Sequence, residues 1–212
     1  MTTLQKPKGL LLVISGAAGT GKGTVKRWLM NKYPDEYVFS VSATTRAPRP
    51  GEVDGKDYHF ISKEEFESCI ENDEVIEYTD YCGNYYGTLK SEMKKLENGK
   101  NLILEIEVSG AMNIKRIFPD CVEVFILPPD YDTLYRRLVN RGTNTPEDIK
   151  NRMNKALTEL ALVRSYDYAV VNADDQAELA ADAIHNIVTS ERHRTSCIDG
   201  SVREIYDPNK KQ

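Results

Sequence analysis

Residues 15–24 read Ser15-Gly-Ala-Ala-Gly-Thr-Gly-Lys-Gly-Thr24, a GxxxxGK spacing that runs from Gly16 to Lys22. Glycines at these intervals let successive backbone N–H groups turn inward. A helix that opens at the lysine adds its positive end, so phosphate oxygens are held without side-chain bulk. On this reading Gly16, Ala17, Ala18, Gly19, Thr20, Gly21, Gly23 and Thr24 surround the phosphates of a nucleotide, and Lys22 reaches the β- and γ-phosphates. The plain alternative is a glycine-rich turn with no ligand. The hydroxyl that usually follows the lysine and meets a magnesium ion is missing, because Gly23 stands there and Thr24 comes one place later.

A second group lies downstream, in Ser42-Ala-Thr-Thr-Arg46-Ala-Pro-Arg49-Pro-Gly51 and the Tyr58 that follows. Two arginines three apart, fixed by prolines, suit a phosphate of about −1.5 to −2 charge, which guanidinium forks grip bidentately. Glu77, read alone, is an edge-strand charge, and Tyr58 and Tyr86 are packing residues. Arg137 and Arg141 stand four apart on one helical face with Arg152 on the next helix, which read alone is a solvated face. Glu105 and Glu107 follow an apolar run. The three histidines, His59, His185 and His193, have no metal-ligand spacing and read as surface or packing residues.

The elements that must position these groups follow from periodicity. Residues 10–14 form a continuous apolar run, as a strand buried on both faces requires. A helical pattern after the glycine loop puts Val25, Trp28 and Leu29 on one side. The segment 38–88 is rich in Pro and Gly and carries short strands near 58–61, 75–79 and 85–87, with one helix opened by a Ser62–Glu65 capping box; it reads as a small antiparallel insertion. Parallel-type strands resume at 102–107 and 122–127 around a helix at 108–117. Helices follow at 130–141 and 145–164, the second with Thr145 as N-cap, Pro146 at the first helical position and a stripe of Ile149, Met153, Ala156, Leu157 and Leu160. A last strand at 168–172 precedes a helix carrying Leu179, Ala183, Ile184 and Ile187, and a loose polar tail is expected from about 192.

Composition sets the frame. With 212 residues, 40% hydrophobic and 29% charged, the chain suits one α/β domain whose core needs no disulfide or metal staple. A formal charge of −5 argues against a surface built for long nucleic acid, leaving phosphate to a few placed arginines. Cys69, Cys82, Cys121 and Cys197 have no CxxC pairing, and free thiols are expected, with paired disulfides the alternative. Residues 1–7 lack the apolar stretch of a signal peptide and no run is long enough to span a bilayer, so a cytoplasmic, membrane-free protein is expected.

Over about 9–188 the chain resembles the guanylate kinases. The likeness rests on the SxSxTTRxPRxGExxGxDYxF stretch from Ser40, the GNYYGT turn of residues 83–88, and the PP…RRL…RGT segment of residues 128–143. The resemblance implies an α/β P-loop kinase core with a parallel sheet flanked by helices. The core would take residues 9–40, 89–129 and 166–191, with a GMP-binding insertion at 41–88, a helical lid at 130–165 and a tail at 192–212. It implies Mg2+-dependent transfer of the γ-phosphoryl group of ATP to GMP. Ser42, Arg46, Arg49, Tyr58 and Tyr86 would hold the GMP phosphate, and Glu77, Thr88 and Glu107 the guanine. Lys22, Arg137, Arg141 and Arg152 would act catalytically.

Under the same resemblance Glu105 orders magnesium through water, with Thr24 a second such group, and Asn172 lies on the adenine side; an Asx cap for the last helix explains Asn172 equally well. Glu107 and Ser109 replace the Asp and Gln usual at these places. Three other readings compete: a noncatalytic protein-binding module of the same fold, a P-loop kinase for another acceptor, and a plain NTPase. The intact Gly16, Gly21 and Lys22 oppose the first, and the acceptor-site residues oppose the other two.

Overall fold

An apolar run without polar alternation forms a strand only where both faces are covered. β1 (Leu11–Ser15) is buried along its whole length. In the computed structural model, which describes residues 9–81, 83–140 and 146–194, it is followed by α1 (Lys22–Lys32), β2 (Tyr37–Phe39), β3 (Ala43–Thr44), β4 (His59–Phe60), α2 (Lys63–Glu71), β5 (Val75–Tyr81) and β6 (Asn84–Leu89). Then come a 3-10 segment (Lys90–Asn98), β7 (Asn101–Glu105), α3 (Val108–Ile117), β8 (Val122–Leu127), α4 (Tyr131–Val139), α5 (Pro146–Leu160), a 3-10 segment (Ala161–Ser165), β9 (Tyr168–Val171) and α6 (Ala177–Glu191).

The main sheet has the order β2-β7-β1-β8-β9, and every pairing in it is parallel. Alternate residues face opposite layers. Leu12 and Ile14 pack with Val25 and Leu29 of α1 and with Ala181, Ile184 and Val188 of α6. Leu11 and Val13 pack instead with Ala111 and Ile114 of α3. Because the strands are parallel, the loops after β1, β7, β8 and β9 leave from one edge, which is where open α/β sheets place their ligands.

A second sheet, in the order β4-β3-β6-β5, stands apart from the first. It is expected to be antiparallel, and β3–β6 and β5–β6 are, but β3 and β4 pair in parallel. The intervening chain makes the return: it crosses back through turns with Gly51 and Gly55 at positive φ, so β4 enters in the same direction as β3. Ser62 and Glu65 form the expected capping box at the start of α2. Glu92 joins the two sheets. Its carboxylate accepts the Val41 N–H and the Lys95 ammonium, both at 2.6 Å, and lies 3.4 Å from His59 Nε2.

Other expectations need correction. Trp28, Leu157 and Leu179, read as core positions, are exposed. Helical periodicity locates a stripe to within about one residue, and the neighbours Val25, Leu29, Ala156 and Ala180 fill the buried side. β2 and β3 were not anticipated, being too short for a periodic signal. β7 stops at Glu105, and Glu107 is the N-cap position of α3. The helix expected at 145–164 gives way to a 3-10 segment after Leu160. Arg141, Thr145, Cys82, Cys197 and most of the tail lie outside the described residues. Cys69 and Cys121 are free thiols.

Several carboxyl groups are buried, and Glu123 is the least exposed of those described. Glu123 on β8 is 2% exposed, and its Oε1 has no hydrogen-bond partner among the described residues. Burial pushes its pKa up from 4.5 to about 7, with Lys115 pulling down and Asp167 pushing up. A folded-state pKa above the unfolded one favours folding in the protonated form. That contribution is full below about 4.5 and is lost as pH rises through about 7. Glu123→Gln is therefore expected to be more stable than the parent at pH 8 by on the order of 2 kcal/mol, with most of the gap gone at pH 5. Urea unfolding at the two pH values checks this, and an equal gap at both would remove Glu123 as its source.

Candidate active site

The loop between β1 and α1 keeps its shape by left-handed backbone at Gly16, Gly19 and Gly21, with φ of 142°, 89° and 88°. Its inner surface admits no side chain at these places. A Cβ on Gly16 would lie 2.6 Å from the Ile126 carbonyl oxygen, and one on Gly21 2.3 Å from Asn172 Nδ2. The Lys22 ammonium curls back to the carbonyls of Gly16 and Ala17, at 2.5 and 3.2 Å. Ala17 packs into an apolar cluster with Leu134, Leu138, Met153 and Ala156, so the α4–α5 pair rests directly on the loop.

Asn172, just after β9, is buried and donates from Nδ2 to the Thr20 carbonyl at 2.8 Å. The capping alternative falls, because α6 has Gln176 at its N-cap position and no side-chain cap there. Arg137 of α4 reaches the same place. It donates to the carbonyl of Asn172 at 3.0 Å and of Thr20 at 3.4 Å, and pairs with Asp174 at 2.8 Å. A cavity of about 490 Å³ opens here, lined by Gly21, Thr24, Trp28, Arg137, Asn172 and Asp175 among others.

The second sheet carries a group of arginines and tyrosines. Arg46 makes a two-pronged pair with Glu52, at 2.9 and 3.0 Å, which raises its pKa, while Glu52 is held low by Arg46 and by the Arg49 N–H. The Arg46 guanidinium lies 5.4 Å over the Tyr58 ring, and Tyr58 meets Tyr86 edge-on at 6.0 Å. Burial raises the Tyr58 pKa first, with the Tyr86 phenol and the Glu105 carboxylate adding to it. Ser42 is half-buried beside this group in the β3 approach, and Arg49 is exposed at the start of a turn closed by the Glu52 N–H on the Arg49 carbonyl, with Gly51 at positive φ.

Deeper in, Glu77 is 7% exposed and pairs across the strands with Thr88, whose hydroxyl donates to its Oε1 at 2.8 Å. Burial raises the Glu77 pKa, and the Thr88 hydroxyl and N–H pull it back. Gly110 of α3 abuts the same carboxylate, and a Cβ there would lie 2.7 Å from Oε2. Glu107, half exposed, pairs with Lys155 of α5 at 3.2 Å. Glu105 ends β7 with its carboxylate facing Gly23 and ion-paired to Lys26 at 2.8 Å. Arg152 is half-buried on α5.

The structure thus gathers Gly16–Thr24, Asn172 and Arg137 at the sheet edge. Arg46, Tyr58 and Tyr86 form a second group, and Glu77 with Thr88 a third. The partners Glu52, Asp174, Lys26 and Lys155 were missed. Only Glu52 has a sequence signal, the Pro50-Gly51 turn that brings it back onto Arg46. For magnesium, the donor set fits its chemistry. Glu105 offers hard oxygens at the mouth of the loop, and a metal that keeps waters and nucleotide oxygens needs only one or two carboxylates. No larger His/Cys/Asp/Glu cage occurs among the described residues.

A glycine loop joining a parallel strand to a helix, set against a small sheet that carries arginine and tyrosine, is the build of a P-loop kinase. Residues 8–191 match the guanylate kinase family model. A guanylate kinase of Streptococcus thermophilus is 46% identical over 199 residues, covering 93% of this chain and 94% of that protein. One from Halalkalibacterium halodurans is 50% identical over 189 residues, 89% and 91% of the two chains. The crystal structure of guanylate kinase from Anaplasma phagocytophilum superposes with a TM-score of 0.74 at 33% identity over 94% of each chain. The chain belongs to the guanylate kinase family.

The tight fit of Asn172 against the loop makes a prediction. Gly21→Ala would force a methyl to within 2.3 Å of the Asn172 amide at a φ of 88°. ATP affinity is expected to fall at least about tenfold as the loop shifts, with the circular dichroism spectrum unchanged. Calorimetric titration with ATP checks it, and parent-like affinity would show that the loop relaxes without consequence.

Proposed function

We propose that the site works as a Mg2+-dependent guanylate kinase through the residues described above, in the cytoplasm, with ATP and GMP as its small-molecule substrates and no nucleic-acid partner. As a member of its family the chain is a phosphotransferase that converts GMP to GDP at the expense of ATP. Among the described residues no helix is long and apolar enough to cross a membrane.

The loop and Lys22 take the ATP phosphates, with the purine directed to the cavity beside Trp28, Arg137 and Asn172. Arg46 has five N–H donors; the Glu52 pair and the Ala47 carbonyl use three of them, and the Tyr86 hydroxyl is a further partner. With Tyr86 already on its guanidinium, Arg46 joins Arg49, Tyr58, Tyr86 and Ser42 in the shell of a GMP phosphate. Glu77 accepts from guanine N1–H and the 2-amino group, the Thr88 hydroxyl turns from Glu77 to donate to O6 as the base enters, and Glu107 supports the amino group. The observation that carries this reading is the buried Glu77–Thr88 pair. Adenine has no N1–H and places an amino group where guanine has an acceptor, so a buried carboxylate left unpaired rejects it strongly.

No general base is needed, because a phosphate monoester is already nucleophilic near neutral pH. What the chain supplies is in-line placement and positive charge around the moving phosphoryl group. Lys22, Arg137, Arg141 and Arg152 serve that end, with α4 and α5 as the lid that excludes water and residues 41–88 as the acceptor-binding insertion. Magnesium would be held by ATP oxygens and, through water, by Glu105, with Thr24 near the loop, and would neutralise phosphate charge.

ADP release from Mg-ATP is measured with GMP, AMP, CMP, UMP or no acceptor in parallel, with product identified. GDP from GMP alone is expected; GMP binding without transfer would favour a noncatalytic binding module. Lys22→Ala and Arg137→Ala are each expected to lower kcat by on the order of 100-fold, and a near-normal kcat in a folded variant removes that residue from the catalytic set. Gly110→Ala, which crowds Glu77, is expected to raise KM for GMP by about tenfold with KM for ATP little changed. Steady-state kinetics with each substrate varied checks this.

A further inference from the structure

Residue 23 is where a hydroxyl would meet the metal in the common form of the loop, and here it is glycine. The space it leaves is faced by Glu105, whose two carboxylate oxygens lie 3.4 and 3.8 Å from where a Cβ on Gly23 would stand. That acid has a cation already. Lys26, one turn along α1 from Lys22, places its ammonium 2.8 Å from Glu105 Oε2. The same nitrogen lies 3.6 Å from the centroid of the Phe39 ring at the end of β2. The two side chains are only 19% and 22% exposed, so the pair is screened far less than a surface ion pair.

The geometry has a clear electrostatic consequence. An ammonium in contact with a carboxylate cancels most of its field at the distance of a hydrated divalent ion. The Phe39 ring adds a cation–π attraction that helps keep the lysine in place. Of the two lysines on this face of α1, Lys22 is held by loop carbonyls, whereas Lys26 is committed to the acid. Tyr58, across the cleft, also feels the Glu105 charge, so the acid stands between the loop and the acceptor side.

We propose that Lys26 is a positioning residue, the resident counter-ion of Glu105: it fixes the acid beside Gly23 and keeps divalent metal from binding there ahead of the nucleotide, so the metal enters with ATP. This rests on the reading of Glu105 as a metal-side acid given above. The charge that the missing hydroxyl would have shared with the metal is met instead by the triphosphate, whose oxygens bring the ion in.

Mn2+ is the probe, measured by electron paramagnetic resonance on the nucleotide-free protein, where catalysis plays no part. Lys26→Met keeps an aliphatic stem against Phe39 and removes the charge. It is expected to tighten Mn2+ binding by on the order of tenfold, and the gain should vanish in Lys26→Met combined with Glu105→Gln. Lys26→Arg should behave as the parent. Lys26→Gln answers the same question if the Met variant does not fold. Unchanged Mn2+ affinity in a folded Lys26 variant, or a gain that survives Glu105→Gln, overturns the proposal. GDP formation by the parent is scored separately, so a failure of the kinase reading and a failure of this one are distinguishable.

Discussion

Backbone that cannot carry side chains is the constraint on which the rest of this molecule depends. A loop of inward N–H groups needs left-handed glycines at three places, and such a loop is stable only when everything around it leaves no room for another shape. The Ile126 carbonyl, the Asn172 amide and the Leu134–Leu138 side chains each press on one of those glycines. β1 supplies a fixed origin for the loop because it is central in the sheet and fully buried, and α1 supplies a fixed exit. β7 and β9 then deliver Glu105 and Asn172 to the same edge without any device beyond parallel register.

Around that loop, charge is handled by pairing. Arg46 has Glu52, Arg137 has Asp174, Lys26 has Glu105, and Lys155 has Glu107. Each of these four cations has an acid beside it, which is how positive groups are placed in a chain of net charge −5. A guanidinium held on one edge keeps its other edge presented, so less side-chain entropy is lost when a ligand arrives.

The parallel core was legible because strands buried on both faces are apolar without interruption. β8 and α3 match the expected ranges residue for residue, and the capping box at Ser62 marks its helix. In the insertion the expected strands near 58–61, 75–79 and 85–87 are β4, β5 and β6, whereas β3 left no signal. Strands β3 and β4 are two residues each, and their parallel pairing comes from how the chain crosses between them, which no local pattern records. For the site, the glycine loop is a local pattern and stands out on its own. Glu77 does not: alone it is a strand carboxylate, and what sets it apart is burial against Thr88 and Gly110, a tertiary fact that only the family likeness anticipates. The acid partners of the cations share that difficulty, because Asp174 and Arg137 meet through the ends of β9 and α4.

The hydrogen bond from Asn172 to Thr20 spans 152 positions of the chain, and its consequence is kinetic. Contacts between such distant segments carry a large loop-closure cost and tend to form late in folding. β1 and the glycine loop leave the ribosome early, yet the residue that braces the loop arrives only with β9. A partly synthesised chain therefore lacks the hydrogen bond that braces the loop.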